Sequence, residues 1–88
     1  MADLEVTVVS ADEQIWAGRA NMVVARTLVG EIGLLAGHVP VLGILAPGEV
    51  RIHTSDGGRV TAKAEDGFIS LQNDVVTIAS RTAELTSR

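Results

Sequence analysis

The 88-residue chain carries a formal charge of −4, no cysteine and 47% hydrophobic residues. This length supports one domain, 1–88, whose core must be aliphatic because Trp16 and Phe68 are its only aromatic residues. The missing cysteines remove disulfide stapling and thiolate metal sites, which fits a reducing cytosolic setting, and the lack of any Lys/Arg cluster argues against a nucleic-acid partner.

Leu4-Glu5-Val6-Thr7-Val8-Val9 alternates with period two, which predicts a strand with Leu4, Val6 and Val8 on its buried face. Ser10-Ala11-Asp12-Glu13-Gln14 reads as a turn, and Ile15 to Arg26 as a second extended stretch with a bulge or bend at Gly18. Within it, Met22-Val23-Val24-Ala25 is apolar on both faces, as in a strand covered on two sides.

Gly30 to Pro40 combines three glycines, a proline, Glu31 and His38 with aliphatic residues that need burial, and this predicts a shaped loop. It allows two readings, which are compatible. The glycines can simply let the chain cross between two sheets, with Ile32, Leu34 and Leu35 in the core. Alternatively, a rigid turn presents Glu31 and His38 to a partner. If Gly33 holds a positive φ, Gly33→Val should destabilise the domain by about 1–3 kcal/mol.

Val41 to Ala46 is a short apolar run, and Pro47-Gly48 turns the chain into the alternating strand Glu49 to Thr54. Ser55-Asp56-Gly57-Gly58 supplies a hairpin turn, with Arg59 to Ala64 returning. Glu65-Asp66-Gly67 and Gln72-Asn73-Asp74 predict two further turns, bounding strands Phe68–Leu71 and Val75–Ala79. Ala83-Glu84-Leu85 has the composition of a single helical turn, which is marginal in water. Short strands with turn signals every 8–12 residues predict an all-β fold, a flattened antiparallel sandwich or barrel.

No catalytic motif emerges. Glu31 and His38 lack the i, i+4 spacing of helical metal ligands, no Gly-x-Ser-x-Gly occurs, and Gly30-Glu31-Ile32-Gly33 is not a phosphate-binding loop. His53 most simply faces solvent. A small-ligand site at Glu31 and His38, or His38 acting as a general base, remain alternatives motivated only by their place on one shaped segment. No cofactor or metal is expected. The uncharged stretch Ile32–Pro47 is broken by Gly33, Gly37, Pro40 and Gly43, so it predicts no membrane span, and Met1-Ala2-Asp3-Leu4-Glu5 shows no signal peptide.

Val8-Val9-Ser10-Ala11, Ile15-Trp16-Ala17-Gly18, Gly30-Glu31-Ile32-Gly33-Leu34, Gly37-His38-Val39-Pro40 and Gly67-Phe68-Ile69 occur in this order and spacing. Together they resemble the epsilon subunits of F-type ATP synthases, from Leu4 to about Leu85. The resemblance implies a flattened sandwich of ten strands and a non-catalytic rotor subunit of the central stalk. It further implies binding to the gamma subunit and to the loops of the membrane rotor ring, on the cytoplasmic face of the cell membrane. Glu31, Gly30, Gly33 and His38 would then face the ring, and Ser10, Pro40, Val41 and Leu42 the gamma subunit. Family members usually continue into a helical hairpin that can inhibit ATP hydrolysis and, in some, bind ATP. With about ten residues after the last predicted strand, that inhibition is expected to be absent here.

Overall fold

The computed structural model describes residues 3–11 and 13–87; Asp12, within the predicted Ser10–Gln14 turn, lies outside them, as do Met1, Ala2 and Arg88. Seven strands account for the fold: β1 (Leu4–Ser10), β2 (Glu13–Thr27), β3 (Gly30–Leu34), β4 (Val41–Ile44), β5 (Gly48–Thr54), β6 (Arg59–Gln72) and β7 (Val75–Ser87). The expected all-β sandwich is observed, with seven strands rather than ten.

The count differs because signals that read as turns bend strands without ending them. The 15-residue β2 pairs with β1 through its first half and with β3 and β5 through its second. Its irregularities fall opposite Val8/Val9 and between Ala20 and Met22, not at Gly18, which pairs in register with Val6. Gly18 has another reason to be glycine: a Cβ there would lie 2.8 Å from the Trp16 ring, which packs against the core. β6 likewise passes through Glu65-Asp66-Gly67 with its register to β7 unchanged on either side. Asp66 takes a φ of 57° at this bend. The partly buried Ser80 hydroxyl stitches it, accepting the Glu65 amide at 3.1 Å and contacting the Glu65 carbonyl and, at 2.6 Å, the Thr82 carbonyl. Residues 83–85 continue β7, so the predicted helical turn is absent; pairing with Ala64, Lys63 and Ala62 supplies the hydrogen bonds an isolated turn would lack.

The strands form a closed circuit, β1-β7-β6-β5-β2, sealed by β1 pairing antiparallel with β2 and parallel with β7. Period-two alternation sends one set of side chains inward. Leu4, Val6, Val8, Val23, Leu34, Ile52, Ile69, Leu71, Val76 and Ile78 are each at most 1% exposed. Nearly all of this core is Val, Ile, Leu and Ala, as composition demanded.

Only the second half of the Gly30–Pro40 segment is a loop. Gly30–Leu34 is a strand, because Leu28-Val29 closes a two-residue hairpin in which Thr27 faces Gly30. The Thr27 hydroxyl secures the tip, donating to the Gly30 carbonyl at 2.8 Å and accepting from Val29 N–H at 3.3 Å. Leu34 is buried and Ile32 packs against the core, but Leu35, expected inside, is 54% exposed because the strand has ended before it. Gly30 and Gly37 have φ of 124° and 84°, whereas Gly33 is not among the positive-φ residues and a Cβ on it meets nothing within 4 Å. The strained-turn premise at Gly33 is therefore corrected.

The glycine required by a neighbouring backbone is Gly67, where a Cβ would run into the Ala79 carbonyl and lie 2.6 Å from Ser80 Cα. Gly67→Ala is expected to cost about 1–3 kcal/mol by forcing backbone apart, while Gly33→Ala leaves stability unchanged or raises it by up to about 1 kcal/mol. Urea unfolding of both variants checks this; equal effects would contradict the assignment. In the β5–β6 turn, the Asp56 carboxylate accepts from Thr54 Oγ1 at 2.6 Å and Gly58 N–H at 3.1 Å, and these bonds, the Thr54 bond foremost, hold its pKa below the ordinary aspartate value. Since the folded pKa is depressed, the stabilisation is complete above the unfolded value and fades as pH falls through the folded one. Gly58 amide protection should accordingly drop in that acid range in the wild type and stay flat in Asp56→Asn.

Candidate functional site

The most distinctive surface belongs to the layer built from β4, the second half of β6, the first half of β7, β1 and the first half of β2. Its outward side chains follow from the register. One cross-strand row runs Ile44, Phe68, Ala79, Val9, Gln14, and the next runs Leu42, Ser70, Thr77, Thr7, Ala17. Leu28 extends the first row, its amide donating to the Ile44 carbonyl at 3.0 Å. Neither row holds a charged residue. Leu42 is 75% exposed, Leu28 69%, Ile44 57% and Phe68 41%. Charge flanks the two rows: on one side Val75 opposes Glu5, which pairs with Arg19 at 3.7 Å, and on the other the exposed Asp66 and Arg81 lie beyond Phe68 and Ala79.

The opposite layer has the reverse character. Arg26 opposes Glu31, Glu49 opposes Lys63, and Lys63 opposes Glu84, so its outward surface alternates in sign. Alternating exposed charge favours water, whereas two uncharged rows with large aliphatic residues favour a partner that covers them.

The residues singled out from the sequence divide between these layers. Glu31 lies on β3, its Oε2 3.1 Å from Arg51 Nη2 in an exposed ion pair. Gly30 and Gly33 share that strand, Gly30 at the tip and Gly33 on its exposed side. His38 sits in the loop 35–40, its amide donating to the Leu35 carbonyl at 3.1 Å and its Nδ1 to the Val39 carbonyl at 2.7 Å. Glu31 and His38 thus each have their own partner, and no group of three His, Cys, Asp or Glu suited to a metal occurs among the described residues. Of Ser10, Pro40, Val41 and Leu42, only Leu42 points outward from the uncharged layer. Pro40 is exposed in the loop before it, while Val41 packs inward against the core. Ser10 has the inward parity of Val6 and Val8, and its hydroxyl accepts from Ala83 N–H at 3.1 Å. It lines an open cleft of about 490 Å³, whose charged residues, Lys63, Arg81, Glu65 and Glu84, balance in sign and favour no ion.

Sequence reasoning missed Leu28, Val29, Ile44 and Phe68 as surface residues. The readable signal was Leu28-Val29 itself. Two-residue hairpin turns are ordinarily glycine, asparagine or aspartate, yet here the tip is aliphatic and Val29 is 98% exposed.

Residues 3–86 match the family model described as the β-sandwich domain of the ATP synthase delta/epsilon chain. The chain is 52% identical over 85 residues to the ATP synthase epsilon chain of Micrococcus luteus, covering 97% of this chain and 93% of that one. It is 49% identical to the epsilon chain of Frankia casuarinae, covering 94% and 98% respectively. Among solved structures, a chain in the OSCP/F1/c-ring assembly of Euglena gracilis mitochondrial ATP synthase superposes with a TM-score of 0.89 at 29% identity. That match covers 97% of this chain, which spans about half, 54%, of the Euglena chain. With an all-strand sandwich and a family match over residues 3–86, the chain belongs to the ATP synthase delta/epsilon β-sandwich family.

Proposed function

We propose that this chain is a non-catalytic subunit of the central stalk of an F-type ATP synthase, docking on the gamma subunit through its uncharged layer. The observation that carries the reading is the pair of uncharged outward rows crossing the layer from β4 to β2. A rotor part must hold its neighbour through every turn of the shaft, and burial of aliphatic surface supplies a grip that salt does not screen. Leu42, with Leu28, Ile44 and Phe68 beside it, forms the core of this contact. Pro40 borders it, Val41 supports it from within, and Ser10 stands at its rim.

The β2–β3 hairpin extends the same reading to the membrane sector. Its tip presents Val29 and Gly30, with Glu31 held by Arg51 just behind. A short rigid hairpin with one acidic group suits the polar loops of a rotor ring, and Gly33 leaves room for close approach. His38 is assigned to the same side. Contact with the ring places the chain at the cytoplasmic face of the membrane without entering it, where it couples ion translocation to ATP synthesis. The family membership and the epsilon-chain relatives support this reading, as does the Euglena neighbour in an F1/c-ring assembly.

Binding to purified gamma subunit tests the docking face. Leu42→Asp is expected to weaken affinity at least about tenfold, because a carboxylate would be buried without a partner, while stability shifts by no more than about 0.5 kcal/mol. Glu49→Lys, on the charged layer, should leave binding unchanged; the opposite pattern would place the interface on the other side. Glu31→Ala should likewise spare the fold, since exposed ion pairs contribute about 0–1 kcal/mol. It should lower ATP-driven ion pumping in the reconstituted complex, and unaltered pumping would remove Glu31 from the ring contact.

A further inference from the structure

The loop 35–40 lies between the β2–β3 hairpin and the uncharged layer, and few hydrogen bonds attach it. Leu35-Ala36-Gly37-His38 forms a turn closed by His38 N–H donating to the Leu35 carbonyl at 3.1 Å, with Gly37 at φ 84°. That value at the third turn position is the type II geometry, which glycine satisfies and which turns the Gly37 N–H away from the turn. Among the described residues, one hydrogen bond ties this turn to another part of the fold. Gly37 N–H donates to Asp74 Oδ1 at 2.8 Å, across 37 positions of sequence.

Asp74 is held ready for that bond. Asn73 and Asp74 are the central residues of the β6–β7 hairpin turn, with φ of 51° and 62°. The Asp74 carbonyl also accepts Glu5 N–H at 2.8 Å, which fixes the turn against β1. The acceptor therefore stands on a rigid corner, beside Val75 at the edge of the uncharged layer. The loop leads directly into β4, with Val39 69% exposed before Leu42.

We propose that Asp74 is a positioning residue for partner recognition: its carboxylate seats the Leu35–Pro40 loop at the corner of the uncharged layer, so that Val39 and Pro40 complete the docking surface. This rests on the docking reading given above. A loop seated in advance does not have to be ordered when the partner arrives, so the anchor contributes to affinity through pre-organisation. It touches no partner itself.

The test compares Asp74→Gly with Asp74→Asn in the full chain. Glycine accepts the positive φ and removes the carboxylate, while asparagine accepts the same φ and keeps a side-chain oxygen for Gly37 N–H. Two readouts are needed: amide exchange at Gly37 in the free protein, and affinity for purified gamma subunit. Asp74→Gly is expected to speed Gly37 exchange and to weaken affinity about five- to tenfold, the scale of one ordinary hydrogen bond. Asp74→Asn should restore both to within about twofold of the wild type. Unchanged Gly37 exchange in Asp74→Gly would overturn the anchor. Faster exchange with full affinity would overturn the loop's part in recognition. A wild-type chain that binds no gamma subunit would instead overturn the docking reading, and this role with it, whatever the exchange rates show.

Discussion

The fold depends on β1 being held between two strands that lie far apart in sequence. Its antiparallel pairing with β2 is a local hairpin, but its parallel pairing with β7 joins the first and last strands of the chain. A parallel pair cannot be made by a tight turn, so everything between must travel the circuit and return. With that circuit closed, alternation alone decides which side chains face the core. Val6, Val8, Val76 and Ile78 meet inside, and Thr7, Val9, Thr77 and Ala79 are left outside.

Closure also explains why three strands are long. A small sandwich has two layers but few residues, and strands that bend from one layer into the other spare the chain extra turns. The bends need particular chemistry where they occur. Gly67 lets the backbone of β6 pass against that of β7, and the Ser80 hydroxyl satisfies the backbone groups that the bend at Asp66 disturbs. A buried backbone polar group left without a partner is costly, so one serine at this point does what a turn would do elsewhere.

The proposed docking surface is a by-product of the same alternation. Outward positions on one layer carry charges of alternating sign, while those on the other carry none over two full rows. No single strand shows this. β4 presents two aliphatic side chains, β6 one aromatic and β1 a threonine and a valine; only their register joins them into a surface. The loop that follows β3 is seated beside that surface by Asp74, a residue whose sequence neighbours suggest nothing beyond a hairpin turn.

The amino-acid sequence by itself determined the class of the fold, the aliphatic nature of its core and the hairpins whose turn residues are distinctive. Those properties are local: period-two alternation in Leu4–Val9, the glycines after Asp56, the resemblance carried by Gly30–Pro40. The tertiary structure decided the rest. Glu65-Asp66-Gly67 and Gly18 have the composition of breaks, and only pairing with β7 and β1 makes them continuous strand. Gly33 and Gly67 are the same residue in sequence, yet one faces open space and the other a neighbouring backbone. Leu28, Ile44 and Phe68 are ordinary hydrophobic residues until register places them outside and side by side. Contacts across 30 or 40 positions have no local signature, because they depend on which strands the closed circuit brings together.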